Sequence, residues 1–409
     1  MQMKESLRKF IQEHQEDDPS ELLLHASRYQ DVDVITAVNQ IKARRQIKRK
    51  LPSWYQDDRL FFPSILAAEQ CSSEITALYK QRLVNADDWL CDLTGGLGVD
   101  TCCFAQKVGR VAYVEQEGML CEAASHNFHL LGHDAIRIIH DDVLGLLAKN
   151  DKRIVGIDVC YVDPARRGAD NKRMFAIEDC EPDVMKIITL LPKPCKVIVK
   201  LSPMLDISQV LSKIPDVSEV HVVSVKNECK ELLFVTTGRL LNTSVAQQTD
   251  NHPIIHCANY TTDGTEQTFR FRLSDERAAI VAIAKHTGNY LYEPNASILK
   301  AGAYKSVANQ FEVEKLHVSS HLYTSDRLLS SFPGRIFEIM EIIPFSSSIR
   351  KTLYESIPKA NIAVRNFPLS VDVLRKRTQI TDGGNIYLFA TTLSDNQKVL
   401  IKCKRSVVK

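Results

Sequence analysis

The spacing of apolar residues along the chain changes twice, and the changes divide it into regions. Up to about residue 85 the spacing is helical. Leu22, Leu23 and Leu24 follow Asp18-Pro19-Ser20, a helix start that Asp18 or Ser20 can cap, and Ile35, Val38 and Ile41 have helical spacing. A further helix is predicted from Ala67 to Leu83. From about 86 to 240, short apolar runs alternate with segments of helical length. The runs are Trp89–Leu93, Arg110–Val114, Ile136–Ile139, Val155–Val162, Lys196–Lys200, Val220–Val225 and Leu232–Thr236. This alternation predicts a mostly parallel sheet with helices on both faces. The last two runs are separated only by Lys226–Glu231, too short for a crossover helix, so they are expected to form an antiparallel hairpin. Beyond 240, His252–Arg272 alternates like strands, and Asp275–His286 reads as a helix capped by Ser274. A last pattern begins near Arg335 and ends in the strand-like Ile386–Thr391.

Length and charge narrow the class. With 409 residues the chain exceeds one ordinary core, so two or three domains are expected. Lys and Arg total 52 against 50 Asp and Glu, so any surface for an acidic partner must be local. The 11 cysteines form no CxxC pair and sit mostly in apolar runs, which reads as reduced core thiols rather than disulfides or a zinc site. No metal is expected. The first residues lack the apolar segment of a signal peptide, and Ala278–Ala284 is too short to span a bilayer. A cytoplasmic location with no membrane contact is therefore expected.

Two stretches are locally basic. Ile41–Lys50 holds Lys42, Arg44, Arg45, Lys48, Arg49 and Lys50 and no acid, as either a solvated helix face or a phosphate-binding one. Residues 350–377 hold Arg350, Lys351, Lys359, Arg365, Arg375, Lys376 and Arg377 against Glu355 and Asp372, with Tyr354 and Phe367 interleaved. Such a field suits phosphate contact, and a solvated helix face is the plainer alternative.

The strongest chemical signal is Asp92-Leu93-Thr94-Gly95-Gly96-Leu97-Gly98: a strand end, a Gly-rich turn and a helix start. Glycines let backbone approach a ligand, and Asp92 can accept from a cationic ammonium. A dinucleotide fingerprint would carry a third glycine where Thr101 stands. The second strand ends at Glu115, suited to ribose hydroxyls. The third ends at His140-Asp141-Asp142, where a carboxylate can accept from an adenine amine or simply cap the next helix. The fourth ends Asp163-Pro164-Ala165-Arg166. Lys200 ends the fifth, and Asn227 and Lys230 lie in the hairpin on the same side.

Together these strand ends resemble a class I S-adenosylmethionine-dependent methyltransferase over about residues 65 to 240. The resemblance is greatest to the nucleic-acid branch, whose fourth strand ends in Asn/Asp-Pro-Pro-aromatic. Lys200–Asp206, Asn227–Glu231, Val364–Leu369 and Asp382-Gly383-Gly384 narrow it to the bacterial family with C-terminal ferredoxin-like and THUMP-like domains. The fold implied is α/β: a Rossmann-like sheet, mostly parallel with a terminal antiparallel hairpin, after an N-terminal helical region and before a C-terminal α+β domain. The expected boundaries are 1–85 for the helical region, 86–240 for the methyltransferase domain, 241–334 for the ferredoxin-like subdomain and 335–409 for the THUMP-like domain.

The resemblance implies S-adenosylmethionine as cofactor. Asp92, Gly96 and Gly98 would hold its methionine part, Glu115 its ribose, and Asp141 or Asp142 its adenine. Asp163, Pro164 and Arg166 would face the acceptor. Lys200, Asn227, Lys230, Arg350, Lys351, Arg365 and Arg375 would contact substrate. It further implies RNA, such as tRNA or rRNA, as partner, methylated on a base nitrogen such as an exocyclic amine. This chain departs from the tetrad at Ala165 and Arg166, which removes the aromatic plate for a flipped base. A methyltransferase acting on a small molecule or protein, and a non-catalytic RNA-binding protein with a relic cofactor pocket, are the alternatives.

Overall fold

The computed structural model describes residues 3–166, 176–191, 195–214, 216–236, 252–346 and 349–406. The chain forms two compact units, Met1–Val220 with Lys230–Thr249, and His221–Cys229 with Asp250–Lys409.

The first unit begins with helices packed on Val34–Ile47. Val38 and Ile41 bury with Phe10, Ile11, Leu22 and Ala37. Asp18 caps Pro19–Leu24 by accepting from the Ser20 N–H at 2.7 Å. The helix expected over Ala67–Leu83 breaks into Ile65–Gln70 and Glu74–Lys80. The cause is local: Ser73 accepts from the Thr76 N–H at 3.3 Å and starts a new helix, and this frees Ser72 for a buried hydrogen bond described below.

Seven longer strands follow: β1 (Trp89–Asp92), β2 (Arg110–Glu115), β3 (Arg137–His140), β4 (Val159–Val162), β5 (Lys196–Leu201), β6 (Val217–Val225) and β7 (Glu228–Thr236). In the first unit the order is β7, β5, β4, β1, β2, β3. β1, β2, β3, β4 and β5 pair in parallel, while β7 lies antiparallel to β5 with Leu232 opposite Leu201. β6 and β7 are joined by Lys226-Asn227, both at positive φ, the two-residue turn that suits a hairpin. It is the second strand of the hairpin that sits beside β5. This is the sheet that the methyltransferase resemblance implies. Cys91, Cys160, Ile198, Val199 and Leu233 are fully buried, as two-sided parallel strands require.

The second unit contains β8 (Ile254–Tyr260) antiparallel to β9 (Glu266–Arg272), then a further sheet. The latter contains β10 (Tyr290–Pro294), β11 (Tyr323–Ser325), β12 (Gly334–Pro344), β13 (Asn361–Val364), β14 (Ile386–Thr392) and β15 (Lys398–Arg405), in the order β11, β10, β12, β15, β14, β13, with the short strand Glu314–Lys315 at the edge beside β11. Phe337, Phe389 and Ile401 fill one side of it, and Leu353, Leu374 and Leu388 the other. The helix expected over Asp275–His286 is only Leu273–Ala278 and has no side-chain cap. The Ser274 hydroxyl donates to the Asp275 side chain rather than serving the backbone. No helix among the described residues is long and apolar enough to cross a membrane.

Candidate active site

The ends of β1, β2, β4 and β5 are tied together by side chains. At the end of β1, Asp92 is fully buried and accepts from the Thr94 N–H at 3.1 Å and the Thr101 hydroxyl at 2.6 Å. Burial pushes its carboxyl up to about 7, against the pull of those two hydrogen bonds. Thr94 in turn accepts from the Asp163 N–H at 2.6 Å, which fixes the end of β4 to the Gly-rich turn. Sequence reasoning missed Thr94 as a functional position. Its place inside the turn motif was the available signal.

The glycines of this turn serve different purposes. A Cβ on Gly95 would lie 2.2 Å from the Tyr113 ring, and one on Gly98, at φ +82°, would lie 2.6 Å from Phe128. Gly98 is therefore required by packing beneath the turn, whereas the sequence suggested close approach to a ligand. Gly96, at φ +52°, differs: a Cβ there would meet nothing nearer than the Thr94 carbonyl at 3.9 Å, so the turn is open on that side. Its N–H donates to Glu115 at 2.9 Å, and its carbonyl accepts from the Tyr113 hydroxyl at 2.6 Å. Glu115 also accepts from the Gln116 and Glu117 amides at 2.8 and 3.0 Å, which locks the carboxylate at the end of β2.

At the end of β3 the plainer reading of Asp142 holds: it caps Val143–Ala148, accepting from the Gly145 N–H at 2.7 Å. Asp141 pairs with Arg153 at 2.6 Å, and that hydrogen bond keeps its carboxyl below the usual range.

Lys200 does not project freely into the crevice. Its ammonium forms an ion pair with Asp163 Oδ2, and its side chain is 13% exposed. Burial opposes its charge, but Asp163, Asp100 and Glu231 outweigh burial and raise its pKa above that of an ordinary lysine. Behind it lies a group of residues the sequence did not single out. Lys80, wholly buried, donates to Asp100 Oδ1 at 3.1 Å, to Glu231 at 2.9 Å and to the Ser72 hydroxyl at 3.1 Å. Asp100 Oδ2 accepts from Ser72 and from the Tyr161 hydroxyl, both at 2.7 Å. Two ammonium groups thus face three carboxylates. Burial raises the Glu231 carboxyl, while Asp100, with more partners, is held low despite its burial. Asp100 lies two residues beyond the Gly-rich motif, and Glu231 closes the Asn227–Glu231 run, so only their mutual proximity was hidden.

Other expected contacts are already engaged. Asn227 takes the left-handed turn position and accepts from the Ala296 N–H at 2.8 Å, so it organises backbone within its own unit. Lys230 is exposed. The side chain of Arg166 lies outside the described residues; its backbone bridges to Cys180. Pro164 is half-buried beside Asp163. The phosphate-binding option for Ile41–Lys50 loses its main donors. Arg44 donates to the Tyr55 and Asp57 carbonyls, Arg45 to those of Gln15 and Asp17, and Lys50 to that of Glu69, while Lys48 pairs with Glu16. None of the 11 cysteines forms a disulfide and nine are buried, as core thiols.

Two family models match the C-terminal part, a ferredoxin-like domain over residues 290–333 and a THUMP domain-like one over 334–405. Among solved structures, a protein from Porphyromonas gingivalis W83 assigned to the methyltransferases is 35% identical. The match covers 100% of both chains, with a TM-score of 0.86. The chain belongs to this class I methyltransferase family. Weaker likenesses include an rRNA methylase from Streptococcus thermophilus (14% identity, 39% of this chain and 92% of that one, TM-score 0.28) and TrmN from Thermus thermophilus (16%, 41% and 50%, 0.31). At those scores they carry no argument. No curated protein matches.

Within the THUMP-like segment the expected basic residues fall into two groups. Arg365 pairs with the buried Glu293 at 2.7 Å, and Arg375 pairs with Asp382, so both brace the fold. Lys359, Lys376 and Arg377 are exposed. The side chains of Arg350 and Lys351 lie outside the described residues. In the same unit His221 and His256 stack at 4.5 Å.

Proposed function

We propose that this methyltransferase uses S-adenosylmethionine to methylate RNA. The observation that carries the reading is the convergence of an open Gly96, the fixed Glu115 carboxylate and the Lys200–Asp163 pair at the ends of adjacent parallel strands. Ligands of open α/β sheets bind at that edge. The residues fit the cofactor: Glu115 retains lone pairs for ribose hydroxyls, and the open side of Gly96 leaves room for a chain lying across the turn. Asp92 braces the turn and, once ionised, attracts an ammonium. Asp141 stands at the strand end suited to adenine, with Asp142 holding the next helix.

When bound, the cofactor supplies an already activated methyl group, so the protein's task is positioning and charge. Asp163 and Pro164 face the acceptor. Asp163 Oδ1 has no hydrogen-bond partner among the described residues and can accept from it, while Oδ2 is held by Lys200. RNA is favoured as substrate by the THUMP-like segment and the exposed Lys359, Lys376 and Arg377. The base-nitrogen expectation fits less well, because the tetrad lacks its aromatic and the carboxylate is already paired with a cation.

The test is transfer of radiolabelled methyl from the cofactor into total RNA of a deletion strain. Labelled RNA supports the reading. Label appearing only in protein or small molecules overturns it.

A further inference from the structure

We infer that the acceptor is a hydroxyl oxygen, in RNA the ribose 2′-hydroxyl, and that Lys200 and Asp163 together activate it. This rests on the RNA reading above and assigns the atom within it.

Amine and hydroxyl acceptors develop charge of opposite sign as the methyl transfers. An aromatic amine attacks without losing a proton first, and its nitrogen becomes positive. A neighbouring ammonium opposes that. A hydroxyl is a poor nucleophile until its proton starts to leave, and its oxygen then carries negative charge, which a fixed cation stabilises. Lys200 is such a cation. It touches Asp163 Oδ2, and Asp100 and Glu231 hold it protonated. A lysine kept protonated cannot itself serve as the base, so the proton must go elsewhere. Asp163 Oδ1 is the acceptor within reach of the same point.

The hydroxyl oxygen forms a bond to the methyl carbon. The bond between methyl and sulfur breaks, and its electron pair stays on sulfur, which becomes neutral. The hydroxyl proton passes to Asp163 and then to water. Lys200 keeps its proton throughout.

The buried group behind the pair explains why the cation stays in place. Lys80 bridges Asp100 and Glu231 with no exposure to water, so two carboxylates remain anchored where their field reaches Lys200. Lys80 is a positioning residue, and the residues that touch substrate are Lys200 and Asp163. The missing tetrad aromatic agrees with this assignment. A ribose needs no stacking plate, and Ala165 offers none.

Labelled RNA from the transfer assay separates the possibilities after alkaline hydrolysis. A 2′-O-methyl group blocks cleavage of the adjoining phosphodiester, so label is expected in alkali-stable dinucleotides. Label in mononucleotides overturns the hydroxyl assignment and leaves the RNA reading standing. Absence of label from RNA overturns both. Lys200→Met is expected to slow transfer at least 100-fold, with Lys200→Arg restoring part of it. In calorimetry, Lys200→Met should leave S-adenosylhomocysteine affinity and RNA affinity within about threefold of wild type. Equal loss in Met and Arg variants, or loss of cofactor affinity in parallel, would mean that Lys200 serves the fold or the cofactor instead.

Discussion

Two cations of the first unit, Lys80 and Lys200, point inward, and those of the THUMP-like segment are divided between bracing and solvent. Lys80 and Lys200 face Asp100, Glu231 and Asp163, and in the basic run Ile41–Lys50 backbone carbonyls take up Arg44, Arg45 and Lys50 while Lys48 pairs with Glu16. In the second unit Arg365 and Arg375 are similarly paired, but Lys359, Lys376 and Arg377 remain in water. A basic stretch in sequence therefore does not identify a nucleic-acid surface. What decides is whether the fold supplies acceptors for each cation. Buried, the charges act on one another at low dielectric and shape chemistry. Exposed, they act on a distant polyanion and are screened by salt.

The sharpest way to break the comparison is to remove a buried cation. Lys80→Met leaves Asp100 and Glu231 without their shared ammonium, and breaking a buried pair from one side costs about 3–5 kcal/mol. Chemical denaturation should show a loss of that order. A change below about 1 kcal/mol would mean that the cluster is hydrated and its charges screened, contrary to the view that they work at low dielectric.

Asp163 comes next. Asp163→Ala should reduce methyl transfer by about 10²-fold or more while leaving S-adenosylhomocysteine affinity near wild type, since Asp163 is not required to hold the cofactor. Asp163→Asn keeps an oxygen acceptor and removes the base. If a hydroxyl proton must leave, Asn should be nearly as slow as Ala. Substantial activity in Asn would instead favour simple hydrogen-bond positioning of an amine. Undiminished transfer in a stable Asp163→Ala protein would remove this residue from the chemistry.

Much of this was readable beforehand because it depends on local rules. The seven strands between Trp89 and Thr236 overlap the short apolar runs that predicted them, and the short Lys226–Glu231 interval announced the hairpin. Asp142 and Asp18 cap helices as their positions suggested. The failures are matters of competition among partners. One helix broke at Ser73 because a hydroxyl offered the backbone a new start, which periodicity does not register. Gly98 was read as making room for a ligand, whereas Phe128 occupies that direction. The Lys80 cluster joins residues up to 151 apart in the chain, and no local pattern marks it. Lys200 and Arg375 were correctly seen as cations but not as paired ones.

A pH experiment probes the buried side more gently. The Asp92 carboxyl is raised by burial from its ordinary value of 3.8 to about 7. In the folded protein it keeps a proton that the unfolded chain has already released above roughly pH 4. Unfolding therefore releases that proton, and this group's contribution to stability declines as pH rises from about 4 to about 7. Attraction of a cationic ammonium runs the other way, because it needs the carboxylate. S-adenosylhomocysteine affinity should fall about tenfold from pH 8 to pH 6, as a single site ionising near 7 requires. Asp92→Asn should flatten that dependence. A flat wild-type profile would show that Asp92 only braces the turn.

The smallest effects belong to the exposed cations, and they test the other half of the comparison. Each phosphate neutralised on a single-stranded RNA contributes about 0.7 to the slope of log affinity against log salt. Replacing Lys359, Lys376 and Arg377 together with alanine should therefore flatten the slope by about 2 if all three meet phosphates, with a modest loss of affinity at moderate salt. Thermal stability should hardly change, because these side chains are solvated. Arg375→Ala should do the reverse. Its guanidinium is committed to Asp382 and the Ile380 carbonyl, so its loss should lower the melting temperature slightly and leave the salt slope intact. Filter binding across a salt series reads the first outcome and a melting curve the second. If Arg375→Ala flattens the slope as much as the triple variant, pairing within the fold does not keep a cation from RNA. The division between bracing and free cations would then fail as a guide to the interface.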